Sequence, residues 1–311
     1  MGTVAVFGTV FVDCKGFAQK AYNPQGRNLG HIEFFHGGVA RNVAENLAHL
    51  GAEVRFVSTV DESALAADVC SRLRAAGVDM QCVPAVGRGM GMWLAVLGAN
   101  GELLGSISQM PDLTALSELV QEQGTALLEK TQHVVLELDL NAALTLRVLE
   151  LAAEQGVPVH GIPGNLSVIL EKPDILPKLA SFICNDVEAG RLLKRELSVL
   201  EPEEIAQALR AYVDTQGLQS MVITLGARGA VYYDAVRQEM GYQPVFKTDV
   251  VDSTGAGDAF FSGAVYGLAA GKPLGQAVVC GTQVAAWTIA CAENTCPDLP
   301  KRKAASALFR K

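Results

Sequence analysis

The run Val251-Asp252-Ser253-Thr254-Gly255-Ala256-Gly257-Asp258-Ala259-Phe260 carries the most specific chemistry in the chain. Gly255, Ala256 and Gly257 leave the backbone bare just ahead of an apolar helix, so their N–H groups can point at an anion that the helix dipole also favours. Such a loop can hold the charge developing on a transferring phosphoryl group. Asp258 falls on the first helical turn, where the carboxylate form is favoured and can take a proton from an attacking hydroxyl. A capped helix after a glycine turn would account for an isolated GxGD. The flanking residues make the cradle and base the better reading.

Other segments offer ligand groups of weaker specificity. In His36-Gly37-Gly38-Val39-Ala40-Arg41-Asn42, the paired glycines allow close backbone approach at a helix start, and Asn42 can donate to and accept from vicinal hydroxyls. A tight turn feeding a packed helix explains the same segment. Gly8-Thr9-Val10-Phe11-Val12-Asp13 places a carboxylate at the end of the first strand, where open α/β sheets build their sites. Asn185-Asp186-Val187-Glu188 sets an Asn and a Glu one helical turn apart, a spacing that suits a water-bridged Mg²⁺. An Asn N-cap with Glu at the third position, a capping box, fits that spacing equally well. Thr224-Leu225-Gly226-Ala227-Arg228-Gly229 is a strand end and turn able to admit a nucleotide.

Elements must bring these segments together. From Gly51 onward, β-branched runs alternate with Ala/Leu-rich stretches that stop at glycines: Val54–Val60 then Ser63–Ala76, and Val134–Leu138 then Asn141–Gln155. That alternation predicts parallel βαβ units, a three-layer α/β/α sandwich with a mostly parallel central sheet. The apolar start Val4–Val12 reads as one buried strand, and Gly257–Ala270 and Leu274–Ala292 read as long closing helices. Two regions, about 10–35 and 90–108, read as strands with no helix between them. Met92–Leu97 and Glu102–Ile107 flank Ala99-Asn100-Gly101, whose Asn-Gly tolerates the positive φ of a hairpin turn. These strands form either a small lid sheet or an extension of the main sheet's edge.

Half of the 311 residues are apolar, enough for one large core, and the chain is expected to form a single domain, 1–311, carrying those lid strands. No run reaches the roughly 18 apolar residues of a membrane span. A net charge of −8, with only Lys301–Lys303 clustered as basic residues, argues against a nucleic-acid partner. The seven cysteines form no CxxC pair and sit mostly among apolar residues, as in a reducing cytoplasm. A dinucleotide-dependent oxidoreductase would need GxGxxG after the first strand, and only Gly8 is there.

Taken in order, these segments resemble the ribokinase-like (PfkB) family of sugar and nucleoside kinases, from Gly8 to about Asn294. The resemblance implies an ATP- and Mg²⁺-dependent kinase with a small β-sheet lid over its acceptor. It implies that Asp13, Gly37, Gly38 and Asn42 hold sugar hydroxyls and that Gly255, Ala256 and Gly257 form the anion hole beside the base Asp258. Asn185 and Glu188 would organise Mg²⁺ and phosphate, and Thr224, Gly226, Gly229 and Asn294 would contact nucleotide. Asp252 and Thr254 sit where some members bind K⁺. Within the family the likeness runs to pseudouridine kinases, through Gly30–Gly51, Leu94–Leu97, Val231–Tyr233 and Pro297–Leu299. The expected acceptor is therefore the 5′-hydroxyl of pseudouridine, with Trp93, Phe34 and Phe35 of the lid covering the base. A ribokinase- or fructokinase-type sugar kinase and a silent sensor on the same fold are the competing readings. Where many relatives carry Asp or Asn before a proline this chain has Ile162, which leaves that polar role to Asn165. Unpaired lid edges predict a homodimer through the lid.

Overall fold

The computed structural model describes residues 2–310. From the N-terminus, β1 (Thr3–Phe7), β2 (Phe11–Ala18) and β3 (Gly30–Gly37) precede α1 (Val39–His49). Next come β4 (Glu53–Val57), α2 (Ala64–Ala75), β5 (Asp79–Cys82), β6 (Gly91–Leu97), β7 (Leu103–Gln109) and α3 (Thr114–Leu127). The middle holds β8 (Thr131–Glu137), α4 (Ala142–Glu154), β9 (Val159–Ile162), α5 (Ser167–Glu171), β10 (Ser181–Asn185), α6 (Asp186–Leu193) and α7 (Pro202–Gln216). β11 (Ser220–Thr224), β12 (Ala230–Asp234) and β13 (Glu239–Gln243) lead to α8 (Ala256–Ala269), α9 (Leu274–Ile289) and α10 (Leu299–Ala305).

Nine strands make the larger sheet, in the order β13-β12-β11-β10-β9-β8-β1-β4-β5, parallel from β11 to β5. Because successive strand residues face opposite sides, such buried strands must be apolar on both. Val4 and Val6 pack in the layer of α1, α2, α8 and α9, with Val43, Leu73, Phe261 and Val278. Ala5 and Phe7 pack in the other, with Leu116, Val148 and Leu209 of α3, α4 and α7. The expected three-layer sandwich is therefore present. An antiparallel edge, β11 to β12 to β13, was not anticipated.

β3, β2, β6 and β7 form a separate four-stranded sheet rather than an extension of the first. The expected strand Val4–Val12 is split between the two sheets. Thr9 donates its backbone N–H and its hydroxyl to the buried Glu137 carboxylate, each at 2.8 Å. With that N–H taken by a side chain, the chain leaves the main ladder after Phe7 and starts β2 at Phe11. Asp13 consequently lies three residues into the smaller sheet, not at the end of the first strand. The hairpin turn between β6 and β7 is as expected, with Gly101 at φ 80° and Gly98 N–H bonded to the Glu102 carbonyl at 2.8 Å.

The Gly/Ala-rich sequence of α8 has a packing cause. A Cβ on Gly263 would lie 2.7 Å from the Cys280 carbonyl oxygen, and one on Gly267 2.8 Å from Ala277 Cα, so the two helices cross at backbone contact. That seats the middle and end of α8 directly on α9.

Candidate active site

The N-terminus of α8 is shaped by two short-range devices. Asp252 Oδ1 accepts from the Thr254 N–H at 2.9 Å and its hydroxyl at 2.8 Å, closing the turn that enters the helix. Gly255 is the N-cap at φ 77°, and a Cβ there would run into the Asn294 carbonyl. Glycine is thus required twice over, by backbone conformation and by close approach. Asn294 is pinned in turn by donating to the His36 carbonyl. A Cβ on Gly257, by contrast, meets nothing within 4 Å, so this side of the loop is open.

Asp258 occupies the first turn of α8, and Asn42 of α1 donates Nδ2–H to its Oδ2 at 2.7 Å. The two principal sequence segments thus meet, 216 residues apart in the chain. Burial pushes the Asp258 carboxyl up to about 7, against the opposing effects of the Asn42 hydrogen bond and the Arg41 charge. A base with that value is half ionised near neutrality and readily accepts a proton.

Asp13 reaches the same region from β2. A Cβ on Gly37 would come within 2.8 Å of its Oδ1. Burial raises its carboxyl, while Lys15 and Arg41 draw it back down. Gly38 holds φ 95°, and a Cβ on it would lie 2.7 Å from the Thr9 carbonyl oxygen. The glycine pair therefore lets the start of α1 cross the β1–β2 turn, a close approach of backbone to backbone. Register places Asp13, Phe35 and Trp93 in one row of the smaller sheet, and Cys14, Phe34, Leu94 and Ile107 in the next. Trp93 and Phe35 share the face of Asp13. Phe34 does not: alternation turns it to the opposite face, correcting its expected place over the acceptor.

The residues expected to contact nucleotide lie at the carboxyl ends of neighbouring strands. Asn185 and Thr224 are register partners at the ends of β10 and β11, and Gly226 and Gly229 follow in the turn. Asn185 and Glu188 form the capping box in full, Oδ1 accepting from the Glu188 N–H at 2.8 Å and Glu188 Oε2 from the Asn185 N–H at 2.9 Å. The Glu188 carboxyl is nonetheless raised, first by burial and then by the nearby Asp139. Asp139 is itself raised by burial. Ile162 is buried in β9, and the Asn165 side chain accepts from the Ser167 N–H at 2.8 Å; the acid of this corner is Asp139, to which Asn165 donates its backbone N–H.

Three groups escaped sequence reading. Glu137, raised to about 7 chiefly by burial, ties Thr9 to Ala40 and so β1 to the start of α1. Asp139 stands two residues later, in the turn that follows β8. Arg41 is fully buried behind Asn42. The signal for the first two was present as two acids in the apolar run Val134–Leu140.

A small-residue loop and a carboxylate at one helix N-terminus, on a mostly parallel sheet with a second sheet beside it, define a kinase of the sugar and nucleoside class. The family model described as pfkB family carbohydrate kinase matches residues 1–302, and this chain belongs to that family. It is 38% identical over 295 residues to a guanosine-inosine kinase of Exiguobacterium acetylicum, covering 94% of this chain and 96% of that one. It is 27% identical over 297 residues to a pseudouridine kinase of Escherichia coli K12, covering 95% and 93%. A structure of Arabidopsis thaliana ribokinase complexed with ribose and ATP matches the fold at TM-score 0.85 and 19% identity, covering 100% and 99%. The likeness to pseudouridine kinases is thus present, at lower identity than that to the guanosine-inosine kinase. No helix among the described residues is long and apolar enough to cross a membrane.

Proposed function

We propose that this kinase transfers the γ-phosphoryl of ATP to the 5′-hydroxyl of a ribonucleoside, with a purine such as guanosine or inosine as the base. The observation that carries the chemistry is Asp258, held by Asn42 at 2.7 Å beside the open face of the Gly255–Gly257 loop. Asp258 takes the proton of the attacking hydroxyl while the loop N–H groups hold the charge on the phosphoryl oxygens. Asp13 and Asn42 accept and donate to the ribose hydroxyls. Trp93 and Phe35, on the Asp13 face of the smaller sheet, offer apolar surface to a base, and that sheet acts as the lid. The 38% identity to a guanosine-inosine kinase supports the purine; the 27% relative supports pseudouridine as the second reading.

ATP would lie along Asn185, Thr224, Gly226 and Gly229 with Asn294 behind the loop. Glu188 and Asp139 are both raised by burial, and the charge of Asp139 bears on Glu188, so the pair is a donor set that fits water-bridged Mg²⁺. Bound there, Mg²⁺ would supply charge neutralisation for the phosphates. Asp252 spends Oδ1 on Thr254 and keeps one oxygen for a K⁺ beside the loop, which activity in KCl against NaCl would test. Seven free cysteines suit a reducing cytoplasm.

Steady-state kinetics with ATP, Mg²⁺ and a panel of guanosine, inosine, adenosine, uridine, pseudouridine, ribose and fructose test the acceptor. Guanosine or inosine should show the highest kcat/KM. A free sugar ranking above every nucleoside would overturn the acceptor and leave the kinase standing.

A further inference from the structure

Arg41 is completely buried one residue before Asn42, and such a charge costs several kcal/mol to bury unless it is paired and hydrogen-bonded. Glu45, one turn along α1, meets its Nη2 at 2.7 Å. Glu45 in turn meets Arg72 Nε of α2 at 2.7 Å, and Arg72 reaches Glu293 at 2.6 Å and the Thr295 hydroxyl at 2.9 Å. The remaining arm of Arg41 is not spent on a carboxylate. Its Nη1 donates to Asn42 Oδ1 at 2.5 Å.

That last bond decides how Asn42 faces the base. A guanidinium has donors only, so the amide atom turned to Arg41 must be the carbonyl oxygen. The atom left for Asp258 is then the NH₂, which donates at 2.7 Å. A donated hydrogen bond favours the ionised carboxylate, whereas a flipped amide would present its oxygen and favour the protonated acid. Apolar residues of similar volume at positions 41 and 45 together would fill the same space without a buried ion pair, so packing alone does not call for a charge here.

We propose that Arg41 is a positioning residue for phosphotransfer, locking the Asn42 amide so that it donates to Asp258 and draws that base toward its ionised form. The inference rests on Asp258 being the base. Arg41 is the charged group that bears on Asp258, and it pulls the carboxyl down. Facing Arg41 are Glu45 of α1, Arg72 of α2, Asp258 of α8 and Glu293 after α9; Asp13, His36 and His49 also feel its charge. Arg41 itself, lowered to about 10 by burial, stays charged at neutral pH.

The test is the pH profile of kcat/KM for the nucleoside in Arg41→Gln, Arg41→Lys and the pair Arg41→Met/Glu45→Leu. Arg41→Gln leaves Glu45 its second partner, Arg72, so no carboxylate is orphaned. The acid limb should move upward by about one pH unit, lowering kcat/KM at pH 7 about fivefold and converging with wild type near pH 9. Arg41→Lys should bring the limb part of the way back. Should Arg41→Gln not fold, the pair, which removes both charges, carries the same expectation. A role in packing alone would lower Tm and leave the limb in place, and that outcome in a folded variant overturns the proposal. Asp258→Asn, measured alongside, separates the two levels: turnover retained there removes the base itself, whatever Arg41 does.

Discussion

At the scale of the residue, the proposed chemistry turns on Asp258. Asp258→Asn keeps the shape of the side chain and removes the base, so nucleotide binding should survive while kcat falls about 10²–10⁴-fold. A binding assay together with kcat checks both halves; near wild-type turnover would defeat the assignment. The pH dependence follows from the carboxyl at about 7, raised from 3.8. Below that value the base is protonated, so wild-type kcat/KM should drop about tenfold per unit as pH falls. The sign for stability is opposite. A raised carboxyl stabilises the fold while protonated, fully below 3.8, and that contribution is lost as pH rises through about 7. Activity therefore appears in the range where this group destabilises the fold. Asp258 and Asn42 were both legible in the sequence, because a glycine-bounded acid and an Asn at a helix start carry local signatures. Arg41 and Glu137 were not, since what distinguishes them is burial against residues far along the chain.

At the scale of the element, two glycines of one loop should respond in opposite ways. Gly255 sits at φ 77° with the Asn294 carbonyl behind it, so Gly255→Ala is strained in both conformation and space and should cost stability, about 1–3 kcal/mol. Gly257 is helical and open, so Gly257→Val should fold with little change in Tm. On the proposed reading its side chain would crowd the phosphate against the loop, so turnover should fall. Thermal melts paired with kinetics distinguish the two, and a Gly257→Val enzyme of normal turnover would move the cradle elsewhere. The helix start, its glycine cap and the Asn185 capping box were readable, each being set within a few residues. The split of the expected first strand was not. It depends on Glu137, 128 residues away, taking the Thr9 N–H that a continuous ladder would have used.

At the scale of the whole molecule, alternation of β-branched and amphipathic stretches was enough to foresee a parallel sheet between two helical layers. The antiparallel β12–β13 edge was missed because a short hairpin at a sheet's rim has the same local pattern as one outside it. For the smaller sheet, period-two alternation carries a consequence for assembly. Asp13, Phe35 and Trp93 occupy one face, and Ile32, Phe34, Leu94 and Ile107 the other, where they are 67%, 54%, 40% and 69% exposed. Four apolar side chains on one face of a sheet, each contributing about 1.5–3 kcal/mol when fully withdrawn from water, make a surface suited to a second copy of itself. We infer a homodimer built lid to lid. Phe34→Glu with Ile107→Lys should then yield a monomer by sedimentation at concentrations where wild type is dimeric. Both residues point away from Asp13, so the acceptor site of each protomer should keep its groups, and any loss of activity would report on how the partner steadies the lid. A wild-type protein that sediments as a monomer at tens of micromolar would exclude this assembly and leave the four side chains as an unpartnered outer face.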